Sequence, residues 1–170
     1  MAPHCVTPRR WGWEESPVVQ FVASTGDRWT ANFRSGIAGL SEAFPHPNDH
    51  DVLVFSGGDL WVVDPDSSKT SQVASAIDSC WPLADGLVLS RQGLAFLKLG
   101  TTGVVWHTKR LSWDVFGQVV VTGHKLTALA WSPLSDSWES CSVDLTTGAS
   151  SGGSFSDDDS EGWERLAPAG

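Results

Sequence analysis

The densest group of chemically capable side chains is His46-Pro47-Asn48-Asp49-His50-Asp51, where two imidazoles and two carboxylates fall within six residues. Imidazole nitrogen combined with carboxylate oxygen suits zinc or manganese, so His46, Asp49, His50 and Asp51 form the candidate metal-ligand set. The flanking prolines predict a loop rather than a helix face. Nothing in the sequence then aligns the two imidazoles, and a solvated loop competes with a metal site.

Nucleophilic chemistry finds less support. Serines are abundant, but no G-x-S-x-G elbow is present. Cys5, Cys80 and Cys141 are odd in number and widely spaced, which makes neither a disulfide framework nor a C-x-x-C metal knuckle. Reduced, mostly buried thiols are expected. His107, in an apolar run before Thr108-Lys109-Arg110, reads as a strand residue, and His124 carries no context beyond that of any histidine. Gly152-Gly153 lacks the P-loop Lys-Ser/Thr and the Rossmann spacing, so no nucleotide is expected, nor any other cofactor. Asp157, Asp158, Asp159 and Glu161 lack the alternating oxygens of an EF-hand loop and read as a solvated acidic run. A basic-aromatic patch remains at Arg9, Arg10, Trp11 and Trp13, the candidate binding residues. They could stack on a base, a sugar or a partner's side chain. The competing role for those indoles is to complete the core. No catalytic residue is assigned, and the chain is not expected to be an enzyme.

These residues must be positioned by a chain of 170 residues that is 41% hydrophobic and 18% charged, a balance that builds one globular core. Its 17 Gly and 9 Pro predict turns rather than long helices. Ten Trp without a Tyr, with few Ile, Asn, Lys and Met, fits biased codon use in a GC-rich bacterial genome. The net charge of -9 repels phosphate backbones and anionic lipid, so neither nucleic acid nor membrane is an expected partner. Met1 to Pro17 holds no apolar signal core, and no segment approaches the ~20 apolar residues of a membrane span. A cytoplasmic location is expected. Residues 1-148 read as a single all-β domain, and 149-170 as a flexible acidic Gly/Ser-rich segment.

Four hairpins are legible. Val18 to Ala23 turns through Ser24-Asp27 into Arg28 to Phe33. Val52 to Phe55 turns through Ser56-Gly57-Gly58-Asp59 into Leu60 to Val63, which Asp64-Pro65-Asp66-Ser67-Ser68 ends. Leu87 to Leu89 leads into Leu94 to Leu99, and Val119 to Val121 into Leu126 to Trp131. Two further strands are expected at Val104 to His107 and Trp138 to Leu145. Gly36 to Phe44 is the one candidate helix, weakened by Gly39. Trp29 and Trp61, Trp81 and Trp113, Trp106 and Trp138, and Trp131 and Trp163 are each 32 residues apart, which predicts hairpin repeats of about 32 residues.

The segments VLVFSGGDLWVVDPDSS, LVLSRQGLAFLKLGTTG and VVVTGHKLTALAW resemble the inner strands of β-propeller blades. That resemblance spans about residues 18-148 and implies a small propeller-like architecture, with a β-sandwich or barrel as the alternative. The opening Arg9-Arg10-Trp11-Gly12-Trp13 and the closing Val143-Asp144-Leu145-Thr146-Thr147-Gly148 also resemble uncharacterised small bacterial proteins, which implies no activity. The expected function is a non-catalytic protein-protein interaction or binding module, its partner another protein, with the acidic charge favouring a basic one. Alternatives are an acidic immunity-type inhibitor of a basic toxin, a small-molecule or sugar binder using exposed Trp, or a hydrolase.

Overall fold

The computed structural model describes residues 17-156 and contains no helix among them. Fourteen strands follow in order: β1 (Val18–Val22), β2 (Arg28–Asn32), β3 (Ala43–Pro45), β4 (Val52–Ser56), β5 (Asp59–Val63), β6 (Thr70–Ala74) and β7 (Ile77–Leu83). The remainder are β8 (Gly86–Arg91), β9 (Ala95–Gly100), β10 (Gly103–His107), β11 (Phe116–Thr122), β12 (Lys125–Ser132), β13 (Ser137–Asp144) and β14 (Ser150–Gly152). They form a two-stranded sheet β1-β2 and three four-stranded sheets, ordered β3-β4-β5-β6, β10-β9-β8-β7 and β11-β12-β13-β14. Every pairing with a defined register is antiparallel, as short sequential strands joined by tight turns require. The fold is therefore all-β. No helix among the described residues is long and apolar enough to cross a membrane.

The chain divides into two units, one holding residues up to Gln92 with Lys98–Val105, the other Gly93–Leu97 with Trp106 onward. In the first unit β4 is buried at all five positions, so apolar cover lies on both of its faces. Val52, Val54 and Val63 pack with Val19, Phe21 and Phe33 of the opening hairpin, and Trp29 and Trp61 close the edge of that cluster. Phe21 stacks on Trp29 at 4.4 Å between ring centroids. In the second unit β12 instead alternates buried Leu126, Ala128, Ala130 and Ser132 with outward Lys125, Thr127, Leu129 and Trp131. That is the period-two pattern of a strand with one face uncovered.

Each unit locks one turn in the same way. After β5, Asp64 Oδ1 accepts from the backbone N–H groups of Asp66 and Ser67 at 2.9 and 3.1 Å, and Trp29 Nε1 donates to Pro65 O at 2.8 Å. After β13, Asp144 Oδ1 accepts from the N–H groups of Thr146 and Thr147 at 2.9 and 2.8 Å, and Trp106 Nε1 donates to Leu145 O at 3.2 Å. The short Asp carboxylate mimics a backbone turn, and the indole N–H satisfies the carbonyl of the next residue. Gly148 completes the second turn with φ +76°, and a Cβ there would sit 2.7 Å from the Trp106 ring.

Several sequence expectations change. Gly36 to Phe44 is not helical: the two glycines leave an irregular segment whose N–H groups at Gly36 and Ala38 bond Ser56 O and Gly57 O, and Ala43–Pro45 is a strand. The sheet also extends past residue 148, since Ser150–Gly152 pairs with β13 in register Cys141↔Gly152 to Val143↔Ser150. The rest of the acidic segment, from Asp157, lies outside the described residues, as does Trp163. The tryptophans 32 residues apart share a position in one pair and not in another: Trp29 and Trp61 each lie on the second strand of a hairpin, β2 and β5, whereas Trp81 is on β7 and Trp113 lies in a loop.

Candidate functional site

The loop His46 to Asp51 is organised around Asn48. Asn48 Oδ1 accepts from the N–H groups of His50 and Asp51 at 3.0 and 2.9 Å, and its Nδ2 donates to Asp51 Oδ2 at 2.8 Å. His46 is buried, and its Nδ1 accepts from Asn48 N–H at 3.1 Å, which commits that lone pair. Asp49 is exposed at φ +60° and makes the turn. The structure thus separates the four sequence candidates, keeping His50 with Asp51 and adding Asp64.

His50 Nε2 lies 3.2 Å from Asp64 Oδ1 and 3.8 Å from Asp51 Oδ1, and the three donor atoms fall within 4.8 Å of one another. These are the described residues that could hold a metal. Asp64 is already engaged, however. The Ser67 hydroxyl, then the Ser67 and Asp66 backbone N–H groups, hold its carboxyl well below the usual range, at about 2. Its first role is to cap the β5–β6 turn. Sequence reasoning missed Asp64 as a neighbour of His50 because pairing of β4 with β5, in register Val52↔Val63, brings the two loops together.

A second site lies on the outward face of the last sheet. The β12–β13 register sets Trp131 opposite Trp138, Leu129 opposite Ser140, Thr127 opposite Ser142 and Lys125 opposite Asp144. Trp131 and Trp138 meet edge to face at 5.2 Å, and Trp138 remains 46% exposed. Its benzo edge reaches over to β11, where a Cβ on Gly117 would lie 3.1 Å from the ring. Gly117 therefore leaves the space that the indole fills. Beside it, a shallow depression of about 500 Å³ is lined by Gln118, Thr127, Leu129, Ser140, Ser142 and Ser151 among others. A neighbouring one of about 450 Å³ continues to His124, Lys125 and Asp144. The 32-residue spacing of the tryptophans does not say which way these indoles face. The alternation of Thr127, Leu129 and Trp131 with small apolar residues was the signal that they face outward.

Arg9, Arg10, Trp11 and Trp13 lie outside the described residues. Burial pushes the Cys80 and Cys141 thiols up, which keeps them protonated and weakly nucleophilic. His107 is exposed on β10.

No family model matches the chain, and no curated protein matches it. Among solved structures it is similar to a chain in an S. cerevisiae complex described as a dbp5 variant bound to nup159, a gle1 variant, ip6 and adp. The identity is 12% and the TM-score 0.44, over 81% of this chain and 42% of that chain. This chain thus spans about two fifths of that neighbour's length, and the likeness assigns no activity.

Proposed function

We propose that this protein is a non-catalytic binding module whose binding face is the outward side of sheet β11–β14. The observation that carries the reading is Trp138, a large aromatic side chain held 46% exposed near the start of strand β13. Exposed tryptophans of this kind are over-represented where proteins bind. The shallow depressions beside it supply convergent polar groups of the sort that orient a ligand.

The same reading extends to architecture. We propose that the four-stranded sheets are copies of one unit, as in propeller-type repeat proteins. Support comes from the Asp64 and Asp144 turns and their Trp29 and Trp106 latches, each pair roughly 80 residues or two units of about 40 apart.

The test is retention. Wild-type chain and the Trp138→Ala variant are immobilised and exposed to extract of the source cells, and the bound protein and glycan fractions are compared. Material held by the wild type and lost at least tenfold from the variant supports the module. Equal retention by both overturns it.

A further inference from the structure

We infer that the face around Trp138 binds an uncharged saccharide, a proposal that rests on the binding-module reading and names its ligand class. The polar groups of the strip are mostly neutral: Thr127, Ser140, Ser142, Ser151 and Gln118 line a depression that starts at Ser140, two residues along β13 from Trp138 and on the same face. A hydroxyl is both donor and acceptor, so such rows match a ligand that is itself covered in hydroxyls. Ser142 Oγ and Ser151 Oγ pair directly at 3.1 Å, so hydroxyls from adjacent strands meet on this face and keep lone pairs that can accept from a ligand hydroxyl.

Charge points the same way. The chain carries -9, yet along β12 and β13 this face carries one Lys and one Asp, placed opposite each other in register. Their fields offset locally, which leaves this face without a concentrated charge and suits a neutral ligand. A protein partner fits less well, because the buried centres of protein interfaces are depleted in Ser, Lys and Asp. The aromatic component fits a sugar, whose apolar C–H face packs on an indole while its hydroxyls reach the polar rows. From Lys125 to Trp131 the strip runs about 20 Å, long enough for several linked rings.

The experiment titrates the full chain with three neutral hexasaccharides: β-1,4-linked glucose, β-1,4-linked N-acetylglucosamine and α-1,4-linked glucose. Tryptophan fluorescence and calorimetry are read at low and high salt. At least one probe is expected to bind saturably, with less than a twofold change in Kd between salts and a loss of tenfold or more in Trp138→Ala. Should that variant melt early, Ser140→Glu supplies the second reading, since Ser140 is exposed and a carboxylate there blocks the strip without emptying the core. Binding unaffected by both substitutions overturns the proposal, as does no binding by any probe. If extract proteins are retained through Trp138 while all three saccharides fail, the module reading stands and the saccharide inference falls.

Discussion

Sheets β3–β6 and β11–β14 share a strand order and an Asp-capped turn, and they differ in one face. Counting back from Asp64 and from Asp144, Trp61 corresponds to Cys141 and Val63 to Val143, all on the sides turned into the core or its edge. On the opposite face Leu60 and Val62, with cross-strand partners Phe55 and Leu53, correspond to Ser140 and Ser142 with partners Leu129 and Thr127. Leu53, Phe55 and Leu60 are at most 1% exposed, whereas Thr127 and Ser140 face solvent. One backbone plan thus gives a two-sided core sheet in the first unit and a one-sided sheet in the second. What decides it is whether the outward row is written in Leu and Phe or in Ser and Thr.

The largest expected effect is a direct challenge to that difference. Phe55→Ala should cost about 3–5 kcal/mol, since it empties a fully covered site, while Leu129→Ala at the corresponding position should cost roughly 1 kcal/mol. Urea denaturation of both variants measures this. Equal costs would mean that the outward face of β12 is covered in solution, and the comparison would fail.

The shared feature gives the next effect. Trp29→Phe and Trp106→Phe each remove an indole N–H that donates to the carbonyl of Pro65 or Leu145, at about 1–3 kcal/mol apiece. Thermal melts in which one substitution is silent and the other costly would show that the two latches are not equivalent.

The smallest effect concerns pH. The Asp64 carboxyl is depressed from 3.8 to about 2 in the folded chain, so its contribution is fully present above the unfolded value and fades as pH falls through the folded one. Asp144 is lowered too, chiefly by the Thr147 backbone N–H and hydroxyl. Acid titration of Asp64→Asn should therefore lose less stability between pH 3.8 and about 2 than the wild type does. An unchanged acid profile would remove Asp64 from the turn-capping role.

Much of the fold was legible because its signals are local. Gly57-Gly58 and Gly123 supply positive φ at hairpin turns, and β4, β5, β8, β9 and β12 are apolar or alternating runs that period-two patterning finds. The strands that escaped notice are Ala43–Pro45, Thr70–Ala74, Ile77–Leu83 and Ser150–Gly152, each at the edge of its sheet. Edge strands bury less and so need less apolar sequence, and Ser150–Gly152 carries no apolar residue; Pro82 is tolerated in β7 because an edge strand does not need every backbone N–H as a ladder donor. The sites were less legible. His46 and His50 are close in sequence, yet the loop turns one imidazole inward onto Asn48 and the other outward to Asp64.

By itself the sequence determined an all-β chain, its hairpins and the Asp-Pro-Asp-Ser turn, because alternation and turn chemistry act between near neighbours. Tertiary structure decided which indoles are latches and which face is open. Those outcomes depend on cross-strand register and on cover from distant segments, as when Trp29 reaches Pro65 and Trp138 settles over Gly117.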